Sequence, residues 1–146
     1  MQASCDYAAY AFIYAFQLYD MGYVRVKILI GANKERAEEV EFLTDTGAFH
    51  TTLPPDLAER LGIKELARTK VTLADSREVE VSLSYAYIKA LDREGVMPVA
   101  ILEVPEPLLG VSTLEGLGLR VDPTTGKLEH SRPYGLAILA EILTII

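Results

Sequence analysis

Residues 42–48, Phe-Leu-Thr-Asp-Thr-Gly-Ala, constrain this chain more than any other segment. Two apolar residues and a threonine run directly into Asp45, which is followed by the hydroxyl residue Thr46 and by Gly47. A hydroxyl residue locks a tight turn by hydrogen bonding, and a glycine lets the backbone turn close beside a carboxylate. The segment therefore predicts a buried strand that ends by holding the Asp45 carboxylate in a fixed position.

The surroundings of this turn strengthen that interpretation. Thr51 and Leu53 follow closely, a proline-started helix comes next, and residues 108–110, Leu-Leu-Gly, lie much farther along the chain. An apolar pair that ends in glycine is typical of a strand passing close beneath another backbone. A simpler interpretation stays open, in which Asp45 forms an ordinary Asx turn that closes a strand.

Composition limits the classes of protein and of partner. The 146 residues are 50% hydrophobic, which suits one domain with a core that needs neither disulfides nor a metal. The net charge of -7 and the lack of a basic stripe argue against nucleic acid and against an anionic membrane as partners. Cys5 is the only cysteine, so we expect a reducing, cytoplasmic setting. His50 and His130 show no zinc-ligand spacing, so no metal site is predicted.

Hydrophobic periodicity predicts a mainly β fold. We expect a strand over 23–30, its return over 36–43, and a short helix over 57–61 that begins after Pro54-Pro55 and is closed by Gly62. Residues 71–73 and 79–81 predict a hairpin, and further strands are expected at 85–90 and 96–104 around a turn at 92–95, and at 117–121 and 127–129.

On these motifs, the segment from about Tyr23 to Glu129 resembles the retropepsin-like, single-domain aspartic proteases of retroviruses and their cellular microbial versions. Residues 45–48, with Thr51 and Leu53, match the active-site strand and loop of that family. Residues 108–110 and the short helical stretch 112–115 resemble the second half of its psi-shaped motif. The resemblance implies a closed, β-barrel-like acid protease half with one or two short helices, which is homodimeric because each subunit contributes one catalytic aspartate.

The resemblance also implies roles for individual residues. Asp45 is the implied catalytic residue: two Asp45 carboxylates, one from each subunit, share a proton and activate the water that attacks a peptide bond, without a metal or organic cofactor. Active-site support is implied for Thr46, Gly47, Ala48, Leu109 and Gly110, and substrate binding for Phe49, His50, Ala74, Asp75 and Ser76. The expected partners are a second copy of the chain and a peptide or protein substrate.

Two departures from the family pattern stand out. The predicted hairpin over 71–81 occupies the position of the family's flap, yet its tip, Ala74-Asp75-Ser76, carries no glycine. Phe49 stands where retroviral enzymes have an aspartate, and Val111 where they have the arginine that pairs with it. An apolar contact is therefore expected in place of an ion pair, and the mobility of the flap is in question.

The ends of the chain predict two further segments. Residues 1–20 form an aromatic N-terminal extension without a cationic leader, which argues against a signal peptide or a spanning helix; alternatively, Met21 is the natural start. Residues 21–134 form the protease-like domain. Residues 135–146 are nearly all aliphatic, and we expect this tail to form the dimer interface because such a surface is costly to leave in water.

The sequence thus favours an aspartic endopeptidase. A second function class stays open, in which a weakly active or inactive protease-like domain binds peptides or dimerises a partner. The glycine-free flap tip favours this alternative, whereas the intact triplet Asp45-Thr46-Gly47 disfavours it. A third, purely structural role would require the triplet to have arisen by chance.

Overall fold

The structure is a computed structural model that describes residues 24–72 and 75–133. Within them lie two short helices, α1 (Pro55–Arg60) and α2 (Val111–Leu117), and a 3₁₀ turn at Lys34–Arg36. The strands are β1 (Arg25–Gly31), β2 (Glu38–Thr44), β3 (Thr51–Leu53), β4 (Ala67–Thr72), β5 (Glu78–Ala90), β6 (Arg93–Ile101), β7 (Leu108–Leu109), β8 (Leu119–Asp122) and β9 (Lys127–His130). The predicted mainly β class is confirmed.

The first hairpin follows from alternation of side chains. Along β1, Val26, Ile28 and Ile30 are buried while their neighbours on the other face are exposed, as a strand with one face on the core requires. The side chain of Asn33 accepts a hydrogen bond from the amide of Arg36 and so stabilises the connecting turn. Strand β2 returns antiparallel to β1 and carries the chain to Asp45.

Seven strands form one sheet in the order β1-β2-β7-β3-β6-β5-β4, and β1 also pairs with β5. Two of the pairings, β2 with β7 and β3 with β6, are parallel. Parallel neighbours must be far apart in sequence, so these pairings bring the two halves of the chain together. The shared core is built around fully buried side chains such as Phe42, Leu53 and Leu109.

The sequence misplaced one part of this sheet. The strands predicted at 79–81 and 85–90 are a single strand, the 13-residue β5, and the turn predicted at 92–95 is shifted, because Arg93, Glu94 and Gly95 already belong to β6. The chain turns instead at Leu91, which has a φ of 55°. Cross-strand pairing over the whole length of β5 and β6 decides the position of the turn, overriding the preference of Gly95 for turns.

Helix α2 is fixed from its C-terminal end by a buried arginine. Arg93 Nη1 donates hydrogen bonds to the carbonyl oxygens of Leu117, at 2.9 Å, and of Gly118, at 2.7 Å. These carbonyls lie where the helix leaves acceptors unsatisfied and where its dipole favours a cation. Strand β6 therefore holds the helix that follows residues 108–110, Leu-Leu-Gly, which we call the second glycine motif.

The segments 1–20 and 135–146 lie outside the described residues, so the predicted roles of the aromatic extension and of the apolar tail stay predictions. The same holds for Ala74 at the hairpin tip.

Candidate active site

Asp45 lies directly after β2, where parallel pairing with β7 fixes the backbone. Its amide donates to the carbonyl oxygen of Leu109 at 3.0 Å, one step beyond the register pairs Leu43–Leu108 and Thr44–Leu109. On the other side, the amide and the hydroxyl of Thr44 both donate to the carbonyl oxygen of Val24 at 2.8 Å. The aspartate is therefore held by the sheet on both sides and not by a free loop.

The two oxygens of the Asp45 carboxyl group have different surroundings. Oδ1 accepts a hydrogen bond from the Gly47 amide at 2.9 Å. Oδ2 is buried and has no hydrogen-bond partner among the described residues. Only 7% of the residue is exposed, and this burial raises the pKa of Asp45 above its ordinary value of 3.8, an effect that the amides of Gly47 and Ala48 partly offset. An unpartnered buried oxygen and a raised pKa both favour holding a proton at this position.

The turn after Asp45 is tight because its backbone folds back on the aspartate. The Ala48 amide donates to the Asp45 carbonyl oxygen at 3.1 Å. A Cβ atom on Gly47 would lie 3.2 Å from Asp45 Oδ1, which is a crowded contact for a carbon atom. A glycine at this position therefore keeps space free beside the carboxylate, as the sequence predicted.

The second glycine motif packs directly against this turn. The amides of Val111 and Ser112 donate to the carbonyl oxygens of Ala48 and Phe49 at 2.9 and 2.8 Å. A Cβ atom on Gly110 would lie only 2.4 Å from the carbonyl carbon of His50. The backbone of Gly110 has ordinary dihedral angles, φ −88° and ψ 167°, so this position needs glycine for space and not for conformation.

The side chains of the remaining loop residues range from exposed to partly buried. Thr46 is exposed, and Phe49 is 63% exposed although its carbonyl oxygen is fixed by α2. The His50 ring stands edge-on to the Phe49 ring, with centroids 4.9 Å apart, and partial burial lowers the pKa of His50. The loop thus presents an aromatic pair close in sequence to Asp45.

The hairpin formed by β4 and β5 ends in a tip that bonds within itself. Asp75 accepts hydrogen bonds from the amide of Arg77 at 3.1 Å and from its Nε at 2.5 Å, and the pKa of Asp75 is lowered chiefly by the amide. Ser76 has a φ of 70°, in the left-handed region that glycine adopts without steric cost. The structure therefore brings Thr46–His50, Leu109 and Gly110 together around Asp45, while Asp75 bonds to Arg77 within its own hairpin.

Replacing Ser76 by glycine is expected to stabilise the fold. The left-handed conformation costs a residue with a side chain about 1 kcal/mol relative to glycine, so Ser76→Gly should raise the free energy of unfolding by roughly this amount. Denaturant unfolding measures the change, with Ser82→Gly on β5 as the matched control that should destabilise the fold. A Ser76→Gly variant that is no more stable than wild type would contradict the strain at this tip.

Two buried hydroxyl groups beneath the turn lie side by side, a pairing that the sequence did not predict. Thr51 Oγ1 accepts a hydrogen bond from the Gly110 amide at 3.0 Å and lies 2.6 Å from Thr113 Oγ1. Both threonines are almost fully buried. Thr51 belongs to the motif that resembles the family's active-site strand and loop, but nothing in the sequence pairs it with a residue 62 positions away.

Two kinds of feature are absent from the described part of the chain: a metal-binding cluster and a membrane-spanning helix. Residues 24–72 and 75–133 contain no group of three or more His, Cys, Asp or Glu side chains placed to hold a metal ion. Over those same ranges, no helix has the length and apolar character needed to cross a membrane.

Comparison with known proteins agrees with this geometry. Residues 24–113 match the family model described as aspartyl protease, whereas no curated protein sequence matches the chain. The fold resembles EIAV protease in complex with the inhibitor HBY-793, with a TM-score of 0.55, 21% identity, and coverage of 68% of this chain and 92% of that one. It also resembles a retropepsin-like aspartic protease from Rickettsia conorii, with a TM-score of 0.51, 18% identity, and coverage of 70% and 79%. The chain belongs to the aspartyl protease family and has a retropepsin-like fold.

Proposed function

We propose that the protein is an aspartic endopeptidase whose active site is completed by a second copy of the chain. The observation that carries this proposal is Asp45 Oδ2, which is buried and has no partner within the described residues of one chain. A buried carboxylate oxygen without a hydrogen bond is costly. A second Asp45 across a two-fold axis, sharing one proton and one water, would satisfy it.

The proposed reaction follows from the sharing of one proton. Two carboxylates this close and this poorly solvated cannot both be charged, so the pair titrates as a unit with one acid and one base. The ionised Asp45 takes a proton from the water as the water oxygen attacks the scissile carbonyl carbon. The protonated Asp45 donates its proton to the carbonyl oxygen, which gives a tetrahedral diol. As the C–N bond breaks, the first Asp45 gives the proton taken from water to the leaving nitrogen, and a diol hydroxyl returns a proton to the other Asp45, leaving an amine and a carboxylic acid.

The other residues have positioning roles in this proposal. Thr46, which is exposed in one chain, bonds to its twin across the axis. The backbone of Gly47 and Ala48 receives the substrate, and Phe49 and His50 contribute to outer subsites. The hairpin tip with Asp75 and Ser76 covers the bound peptide, and the apolar segment 135–146 contacts the second subunit. The chain has a single cysteine and so can form no disulfide within itself. The proposal therefore includes a cytoplasmic location, where thiols stay reduced.

The alternative is a protease-like domain that binds a peptide without cutting it. The internally bonded tip at Asp75 and Arg77 favours it, because a stiffer flap opens more slowly for substrate entry. Cleavage of an unbiased peptide library at mildly acid pH separates the two functions, with Asp45→Asn as the control. Binding without any Asp45-dependent cleavage would support the alternative.

A mixing experiment tests whether the site is shared. When wild-type and Asp45→Asn chains are co-expressed and exchange freely, cleavage should follow the square of the wild-type fraction, so equal amounts leave about one quarter of the activity. A complete site within each chain would leave about one half. Sedimentation equilibrium on the same samples measures the dimer, and full activity from a monomer would refute the proposal.

A further inference from the structure

One peptide unit links the backbone of Asp45 to the buried hydroxyl pair. The carbonyl oxygen of Leu109 accepts from the Asp45 amide at 3.0 Å, and the amide of Gly110 donates to Thr51 Oγ1 at 3.0 Å. These two groups belong to the same peptide bond, between Leu109 and Gly110. Because a peptide bond is planar and stiff, fixing its N–H side also fixes the direction of its carbonyl oxygen.

The Thr51 hydroxyl, at the end of this series of hydrogen bonds, is itself held in place. Thr51 Oγ1 lies 2.6 Å from Thr113 Oγ1, and the two residues are 0% and 1% exposed. Thr51 starts β3 and Thr113 lies in α2, so the pair joins the strand after the catalytic turn to the helix after the second glycine motif. Hydrogen bonds in such a buried chain strengthen one another.

We propose that Thr51, supported by Thr113, is a positioning residue for Asp45. Its hydroxyl orients the 109–110 peptide, and this peptide sets the position of the Asp45 backbone and thus of the carboxyl group. The inference rests on the proposed function, but its mechanical part applies to the folded chain whether or not it cuts peptides. The Thr51 hydroxyl bonds to the Gly110 amide and to Thr113, whereas Asp45 Oδ1 bonds to the Gly47 amide, so Thr51 acts through the 109–110 peptide and not by a hydrogen bond to the carboxyl group.

Substitution of Thr51 by valine or by serine distinguishes the effect of its hydroxyl group from the effect of its side-chain shape. Thr51→Val keeps the shape and removes the hydroxyl, leaving the Gly110 amide without an acceptor, whereas Thr51→Ser keeps the acceptor. Ser84→Ala is the matched control, because it removes another buried hydroxyl, which bonds to the Lys64 carbonyl oxygen at 2.5 Å and takes no part in this chain of bonds. Thr113→Val is the milder variant, since the Gly110 amide retains Thr51 as its acceptor.

The expected result is a fall in kcat with little change in KM. A displacement of the reacting groups by a fraction of an ångström to 1 Å should lower kcat of Thr51→Val by about 10- to 100-fold, and Thr51→Ser should restore it to within about threefold of wild type. Thr113→Val should show a smaller loss, and Ser84→Ala should lose stability without losing kcat. A Thr51→Val enzyme with wild-type kcat, or a serine variant as slow as valine, would overturn the inference.

Amide hydrogen exchange tests the same inference without relying on activity. In Thr51→Val, the Asp45 amide should exchange about tenfold faster than in Ser84→Ala, when the two variants are compared under conditions where their free energies of unfolding are equal. If Thr51→Val does not fold, Thr113→Val takes its place. Unchanged exchange at Asp45 would overturn the inference. Faster exchange in a protein without Asp45-dependent cleavage would support the positioning role and refute the proposed function, so the two failures are distinguishable.

Discussion

Asp45→Asn is expected to abolish peptide cleavage while leaving the fold intact. The amide side chain can keep an oxygen toward the Gly47 amide, which bonds to Asp45 Oδ1 at 2.9 Å, but it can neither take a proton from water nor donate an acidic one. Loss of the acid–base pair should lower kcat by on the order of 10³-fold or more. Cleavage assays and circular dichroism on the same preparation measure both effects, and wild-type cleavage by a contaminant-free variant would contradict the assignment.

The same substitution should change the pH dependence of stability. Burial raises the pKa of Asp45 in the folded chain above its ordinary value of 3.8, so the folded state binds the proton more tightly than the unfolded state. The contribution of Asp45 to the free energy of unfolding is therefore fully present below pH 3.8 and is lost as the pH rises through its folded pKa. Asp45→Asn should lack this loss. The unfolding free energy of the variant minus that of wild type should therefore increase from about pH 3 to about pH 7. A decrease of this difference over the same pH range would contradict the raised pKa of Asp45.

Among glycine-to-alanine substitutions in the described residues, Gly110→Ala is expected to be the most damaging. The added Cβ would lie 2.4 Å from the carbonyl carbon of His50, 2.5 Å from its oxygen and 2.7 Å from the Phe49 carbonyl oxygen. These are backbone atoms, so no side-chain rotation relieves the contact, and the turn that follows Asp45 must move away from Gly110. We expect a loss of about 3 kcal/mol or more in unfolding free energy, together with loss of cleavage.

Gly47→Ala is the control for this prediction. Its Cβ would meet Asp45 Oδ1 at 3.2 Å, a side-chain atom that can shift by a few tenths of an ångström. The variant should therefore unfold at nearly the wild-type denaturant concentration and show its effect mainly in cleavage. If Gly110→Ala unfolded like Gly47→Ala, the close approach of the two motifs would not be what stabilises the site.

The turns and caps of the fold could be predicted from sequence because their physical causes are local. Asp45, Thr46 and Gly47 lie next to one another, so the hydrogen bond from the Gly47 amide to the carboxylate follows from the order of residues alone. The alternation along β1 and the proline-started helix α1 were readable for the same reason. Where strand pairing competes with local preference, as at Leu91, the sequence placed the turn wrongly.

The family resemblance extended the prediction to the second motif, since Leu109 and Gly110 could be matched by pattern. What it could not supply is how the two motifs bond to each other. The contact of Gly110 with the His50 backbone shows why this position excludes a side chain even though its dihedral angles would allow one. Steric exclusion of this kind depends on the distance between two backbones, which no single segment encodes.

By itself, then, the sequence determined the turn at Asp45, the alternation of the strands and the class of the protein, because each depends on residues that are neighbours along the chain or match a short motif. Only the tertiary structure decided which groups surround the aspartate. The parallel pairing of β2 with β7 directs the Leu109 carbonyl oxygen toward the Asp45 amide. Within the described residues, Asp45 Oδ2 is buried and has no hydrogen-bond partner. The pairing of β3 with β7 lies beside the contact between Thr51 and Thr113, which are 62 residues apart. The physical reason is that burial and hydrogen bonding depend on distances in space, which the folding of the whole sheet sets.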